Sequence, residues 1–510
     1  MPFNPELFLS TLALIGVVIV ISALLSGFIE RSGLPQVAVF LGLGAAIGPF
    51  GLNLMNADLH SPILRVVATL SLVLVLFTDA VSLNVSEVRQ NRLLSFLVLG
   101  PGTVFSAILI ALFSWWLLDL KPAAALILGA ALASTDPVML RALLKRPGIK
   151  TTVRQALRLE GGMNDAVLLP LVLVGMTSLA QAHSPGANEW AHLGMNILIL
   201  SPSAGIIVGL GAVGMLELVR RRIGVRRDYE SIYSLGVAFA AFAAGEAVHG
   251  SGFLAAFAAG LTISALDVEL CDCFLEYGET TAEMALMFTF VLFGMSVIWT
   301  GFTIVTGTAL LFVAAVFVAR PIAFIPALLP AKLSWRNRSL IAWFGPRALS
   351  SLLLVLLPVF AGAPQSERLL AICCLVVLFS VVLHGLSPSV LVKPPAVEAP
   401  PTAPVPAGQA EAQEPQTISS KFCALGSGDC NASTPVQLTL HPEYISISEV
   451  KALKEQHADI LVLDARTERT YNDSDECIPG ALRLSPDQSV RTAAAQLGLH
   501  KDAVLAVLCA

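Results

Sequence analysis

Charge is scarce in this chain: only 13% of its 510 residues are Asp, Glu, Lys or Arg, about half of the roughly 25% usual in soluble domains. That excludes an ordinary water-exposed globule over most of the length. There is no basic domain and no interleaving of aromatic with basic residues, which excludes a nucleic-acid binder. The eight cysteines, Cys271, Cys273, Cys373, Cys374, Cys423, Cys430, Cys477 and Cys509, contain no CxxC metal pattern, and no disulfide framework is expected. The first residues, MPFNPELFLSTLALIG, carry no positive charge and read as a first membrane span, not a cleaved signal peptide.

What the chain has instead is apolar runs long enough to cross a bilayer, which takes roughly 17–25 residues. They recur at Leu7–Ile29, Leu34–Phe50, Ile63–Leu83, Leu93–Leu118, Pro122–Leu144, Gln155–Leu179, Leu193–Val219, Ile232–Val248, Gly252–Leu266, Ala282–Ile298, Phe302–Leu328, Ser339–Phe360 and Leu369–Leu391. The runs predict about thirteen helices. Alternate loops carry the basic residues: Arg31; Arg89 and Arg92; Lys145, Arg146, Lys150 and Arg154; Arg220, Arg221, Arg222, Arg226 and Arg227; Lys332, Arg336 and Arg338. The intervening loops after Gly51, after Ala182 and around Gly250 hold no Lys or Arg. Lys and Arg favour the cytoplasmic side, so the N-terminus is expected outside and the C-terminus inside.

Three segments follow from composition: a membrane domain over 1–392, a linker rich in Pro and Ala over 393–440, and a soluble segment over 441–510. In the last, SISEVKALKEQ predicts a short helix, while ILVLDAR, IPGALRL and VLAVLCA predict strands.

A charge inside lipid is costly, and such a residue is functional by default. Asp136 lies in the middle of the fifth predicted span, in ALASTDPVML. Pro137 after it removes a backbone donor and predicts a helix break, leaving oxygens beside a carboxylate. Those are suitable ligands for a hard monovalent cation. The plainer reading is a kink with a solvated Asp. Asp165 lies inside the sixth span, in RLEGGMNDAVLLPLVL, with the non-titrating Asn164 before it. A carboxylate in a poorly hydrated place is neutralised by either a proton or a cation, and that competition is what exchange requires.

Glu160 projects from another side of the same helix. Arg347, after Gly345 and Pro346 in WFGPRALSSLLL, requires a carboxylate if buried, and a structural Glu160–Arg347 ion pair is expected. The alternative is an Arg347 that snorkels to the surface. Asp79, near the end of the third span, either lines the ion path or caps a helix end. Pro137 and Pro346 break the fifth and twelfth spans, seven apart. An odd offset reverses direction, which suggests two inverted six-helix repeats meeting at a mid-membrane site. The small-residue stretches Gly42–Gly48 and Gly209–Gly214 are read as helix-packing surfaces.

TDPV (Thr135–Val138), EGGMNDA (Glu160–Ala166), FVLFG (Phe290–Gly294) and GPRA (Gly345–Ala348) together resemble the motifs of sodium–proton antiporters of the cation/proton antiporter superfamily. The nearest branch is the one with an Asn–Asp pair in the sixth span. The resemblance covers nearly all of 7–391. It implies an all-α polytopic membrane protein with two crossed, interrupted helices, a separate dimerisation domain, and alternating access. It implies that Asp165 binds the proton or metal ion (Na+ or K+), that Asp136 and Thr135 complete the site with Asn164 marking an electroneutral branch, that Glu160 and Arg347 form the structural pair, and that Asp79 lies on the ion path. Two departures, Gly161 where many relatives have Ser and Ala348 where many have Gly, bear on which cation is carried.

The tail motifs ISISEVKAL, ILVLDARTERTY and CIPGALRL resemble a rhodanese-like domain. Cys509 falls at that family's catalytic position, but only Ala510 follows, so a truncated or a degenerate small α/β segment is expected, without sulfurtransferase activity. The combined expectation is a secondary transporter exchanging Na+ first, with K+ or Li+ next, for H+ across the cytoplasmic membrane. It is a homodimer among lipids, with no small-molecule cofactor. A membrane-anchored sulfur-handling protein is the competing reading; a channel suits a single competing carboxylate site less well.

Overall fold

The computed structural model describes 35–391, apart from the connections 55–58, 84–87, 89–90, 145–148, 181–185, 223–226 and 267–271, with a few positions between 16 and 24 and the tail segments 461–465, 481–483 and 505–508. Two compact units divide near residue 404. The first is built of helices α1 (Gln36–Ile47), α2 (Pro62–Val81), α3 (Arg92–Leu97), α4 (Thr103–Leu118), α5 (Pro122–Ala133), α6 (Pro137–Leu144), α7 (Thr151–Ala180), α8 (Ala187–Met195), α9 (Ser201–Arg222), α10 (Arg227–Ala247), α11 (Gly252–Ala265), α12 (Asp272–Met295), α13 (Gly307–Ala327), α14 (Trp335–Trp343), α15 (Leu349–Phe360) and α16 (Ser366–Leu391).

Among the described residues, seven stretches are long and apolar enough to span a bilayer; counting the bent pair Thr280–Met295 and Val297–Ile304 as one span makes eight. Four further apolar helices, Gln36–Ile47, Ile232–Ala247, Gly252–Ala265 and Leu349–Phe360, are shorter. The sequence segments expected from 34 onward each meet one of these helices; the first, 7–29, lies mostly outside the described residues. The chain is a mostly helical, multi-pass membrane protein. Backbone groups have no water to bond in hydrocarbon, so each span closes its own ladder as helix.

Two groups of helices surround the site. In one, α4 packs between α5 and α13, and α7 lies on α5. In the other, α11 packs against α2, α9 and α10, while α12 packs on α1 and α2. Small residues set the tightest approaches. A Cβ on Gly44 of α1 would overlap the backbone of Val291 and Gly294 in α12, and one on Gly294 would overlap Leu41 in return. Ser71 of α2 joins the same region, its hydroxyl bonding to Thr289 Oγ1 at 2.8 Å and donating to Ala285 O at 3.0 Å. In the second stretch of small residues, Gly209 alone faces a close neighbour, Ala259 of α11; Gly211 and Gly214 face open space.

Two helices are broken where proline was expected to break them. Between α5 and α6 the chain leaves the helix at Ser134, Thr135 and Asp136; between α14 and α15 it does so from Phe344 to Ala348.

In the second unit, β1 (Leu461–Asp464), β2 (Leu482–Arg483) and β3 (Leu505–Leu508) form a parallel sheet in the order β2-β1-β3. These strands fall within ILVLDAR, IPGALRL and VLAVLCA. Cys509 and the helix expected over 446–456 lie outside the described residues.

Candidate functional site

The two breaks meet. The Asp136 N–H donates to Pro346 O at 2.8 Å, and the Ser351 hydroxyl donates to Ser134 O at 3.3 Å. Each break frees backbone groups that a continuous helix would have paired, and at each the side chains supply the missing partners.

Asp136 is committed to this task. Its Oδ1 accepts from Val138 N at 2.8 Å and Met139 N at 3.3 Å, the bonds of a helix N-cap, with Pro137 at the first helical position. Its Oδ2 accepts from Leu349 N, the first residue of α15, at 2.8 Å. One buried carboxylate thus faces the positive ends of α6 and α15 together.

Arg347 does the reverse. Its Nε donates to Leu132 O at 2.6 Å, in the last turn of α5, and its Nη2 donates to Val316 O of α13 at 3.1 Å. Its guanidinium also stands 5.4 Å from the Phe317 ring centre. A cation is favoured at the carbonyl end of a half-helix. Arg347 is 2% exposed, so the snorkelling alternative does not describe it.

The expected Glu160–Arg347 pair is replaced by another. Arg320 of α13 meets Glu160 in a two-pronged ion pair, Nη1 to Oε1 and Nη2 to Oε2, the latter at 2.7 Å. Arg320 Nη2 also donates to Ile341 O at 3.0 Å, and the guanidinium lies 4.2 Å from the Phe324 ring centre. A Cβ on Gly345 would overlap the Arg320 side chain, so the glycine before Pro346 makes room for it. Arg347 is drawn instead to the orphan carbonyl of Leu132. The signal for Arg320 was available, since it is a lone charge inside the apolar run Phe302–Leu328.

Asp165 and Asn164 project from α7 toward the first break. The Ser134 hydroxyl donates to Asp165 Oδ1 at 2.5 Å; no other hydrogen bond to this carboxylate is seen among the described residues. Asn164 Nδ2 donates to Thr135 Oγ1 at 2.8 Å. Its Oδ1 is buried and without a partner among the described residues. Asp79, half-buried near the end of α2, has its Cβ and carbonyl within 4 Å of where a Cβ on Gly162 would stand, two residues before Asn164. Gly161 lies on Pro137 and Leu140, where an added Cβ would be in ordinary contact at 3.4–3.5 Å. The sequence reading missed Ser134, Ser351 and Arg320. The two serines flank the break motifs, and hydroxyls near freed backbone are the signal that finds them.

A helical membrane protein whose two interrupted helices meet at their breaks beside buried carboxylates has the fold of a secondary transporter. The transmembrane model of the sodium/hydrogen exchangers matches residues 17–393, and the chain belongs to this family of monovalent cation/proton antiporters. It is 26% identical over 385 residues to the K(+)/H(+) antiporter NhaP of Alkalimonas amylolytica, a match spanning 74% of this chain and 65% of that one. It is 27% identical over 395 residues to the K(+)/H(+) antiporter NhaP2 of Shewanella sp. (strain ANA-3), spanning 75% and 66%. The chain therefore covers a little under two thirds of the length of these relatives. The sodium proton antiporter MjNhaP1 of Methanocaldococcus jannaschii has a similar fold, with a TM-score of 0.64 at 20% identity, covering 76% of this chain and 98% of that one.

Proposed function

We propose that this protein exchanges a monovalent cation for a proton across the cytoplasmic membrane, one charge each way, with Asp165 as the carboxylate for which the two compete. The observation that carries the reading is the unequal commitment of the two buried aspartates. Asp136 is held by three backbone N–H donors, whereas Asp165 takes one hydroxyl from Ser134. Asn164 Oδ1, on the neighbouring residue, is buried without a partner among the described residues and offers an oxygen to an arriving cation. Thr135 orients that amide; Asp136 acts chiefly on the helix ends, and Asp79 lines the approach.

Either ion neutralises Asp165, and the bare carboxylate is the species least able to cross lipid, so the unloaded carrier stays on its side. Alternating access, a homodimer and a cytoplasmic C-terminus complete the proposal, the last from the distribution of Lys and Arg. Potassium is tested before sodium, because the two relatives above are described as potassium–proton antiporters.

The test is exchange in proteoliposomes holding an internal pH dye. A pH gradient is imposed, and potassium, sodium, lithium or choline chloride is added in turn, with Asp165→Asn as control. A cation-specific pH change that is absent from the folded mutant is expected. Undiminished exchange by Asp165→Asn, or no response of the folded wild type to any cation, overturns the proposal.

A further inference from the structure

One buried imidazole is not used by the site as described. His384 of α16 is 6% exposed, packed between the Phe317 and Trp343 rings at centre distances of 5.6 and 5.9 Å. Its Nε2 lies 3.3 Å from Trp343 O, the last carbonyl of α14, and its Nδ1 lies 3.1 Å from Ser380 Oγ, one turn earlier on α16. The Ser380 oxygen in turn accepts from Arg347 N at 2.7 Å.

Trp343 O can only accept, so the ring proton belongs on Nε2. Nδ1 is then an acceptor, and the Ser380 hydroxyl, already receiving the Arg347 N–H, turns its own hydrogen to it. This assignment satisfies every partner in the relay with a single proton on the ring. The relay runs from Arg347 N–H through Ser380 and His384 to Trp343 O, and so grips the second break at both ends.

Between those ends lies Pro346, whose carbonyl receives the Asp136 N–H; just past them lies Leu349, whose N–H holds the Asp136 carboxylate. We infer that His384 and Ser380 are positioning residues. They fix the unwound segment 344–348 from the α16 side, and through it set the register of Asp136 and of the Ser134–Asp165 contact next to it. Neither residue touches the ion. The inference rests on the proposed exchange.

The test is the cation concentration giving half-maximal exchange, measured in proteoliposomes for wild type, Ser380→Ala, His384→Ala, His384→Gln and the double alanine variant, with thermal stability followed in parallel. Loss of one relay hydrogen bond is expected to raise the half-saturating concentration about two- to tenfold, the range an ordinary hydrogen bond carries. His384→Gln, whose amide can donate to Trp343 O, is expected to recover most of the loss. The double variant is expected to be no worse than the worse single, since both cut the same relay. Should His384→Ala not fold, Ser380→Ala decides alone, because it removes one oxygen and leaves the ring in place.

Unchanged half-saturation in variants that lose only stability, or additive effects in the double, overturns the positioning role while the antiporter reading stands. Absence of exchange in the wild type overturns both.

Discussion

Both terminal nitrogens of Arg320 meet both carboxylate oxygens of Glu160, joining α13 to α7 at a point where each side chain is 2% exposed or less. In such a place a pair is worth little more than a well-packed apolar replacement, but half a pair is costly. Arg320→Ala or Glu160→Gln alone is expected to lower stability, by about 3–5 kcal/mol where a buried charge is left behind. Arg320→Met with Glu160→Leu is expected to be less damaging than Arg320→Met by itself. Thermal unfolding of the purified variants, followed by size-exclusion chromatography, checks the order; a double variant worse than both singles would contradict it.

Asp136→Asn and Asp165→Asn are expected to fail differently. An amide at 136 turns its NH2 toward the N–H groups of either Leu349 or Val138 and Met139, so stability and exchange fall together. An amide at 165 removes the exchangeable charge yet still accepts from Ser134 at its oxygen, so exchange is lost and stability kept. The same unfolding assay, paired with proteoliposome exchange, separates the two.

Ser134→Ala takes away the hydroxyl donating to Asp165. The ionised carboxylate loses a charge-assisted hydrogen bond, so under the proposed competition at Asp165 the cation competes less well with the proton. The half-saturating cation concentration is expected to rise about tenfold or more at fixed pH. In the wild type the same quantity is expected to rise as pH falls, by up to about tenfold per pH unit, because in the proposed exchange one proton and one cation displace each other. A half-saturation independent of pH would speak for separate sites.

Arg347→Lys is not expected to substitute for Arg347. The guanidinium reaches Leu132 O and Val316 O with different nitrogens and lies near the Phe317 ring, which a single ammonium does not reproduce. Both Arg347→Lys and Arg347→Ala are expected to lose stability, the alanine more. A lysine variant as stable as the wild type would show that charge alone suffices at the end of α5.

Gly161→Ser tests a departure noted in the sequence. A Cβ there stands in ordinary contact with Pro137 and Leu140, so the variant is expected to fold. Its hydroxyl adds an oxygen one turn from Asp165, and the ratio of potassium to sodium exchange rates is expected to change. An unaltered ratio would mean that the added hydroxyl does not reach the ion.

Much of this was legible in the sequence, because hydrocarbon permits few exceptions. Asp136, Asp165, Glu160 and Arg347 were visible as charges in apolar runs, and Pro137 and Pro346 as breaks. Pairing was harder to read. Glu160 was matched to Arg347 because a buried arginine requires a carboxylate and the resemblance implies that pair, yet the freed carbonyl of Leu132 attracts Arg347, and Gly345 opens the space that Arg320 fills. Spacing along a chain reports which face a residue occupies, but not which of two arginines on other helices arrives opposite it. Nor could the sequence show that Asp136 would spend its oxygens on backbone N–H groups, since that depends on where α15 begins.

The double cap formed by Asp136 has a mechanical meaning. Val138, Met139 and Leu349 all donate to one carboxylate, so α6 and α15 are clasped as two gears are by a shared tooth. Neither can slip by a residue without stripping a donor from a buried charge. In the alternating-access cycle proposed above, such a clasp is expected to carry α6 and α15 together as one piece.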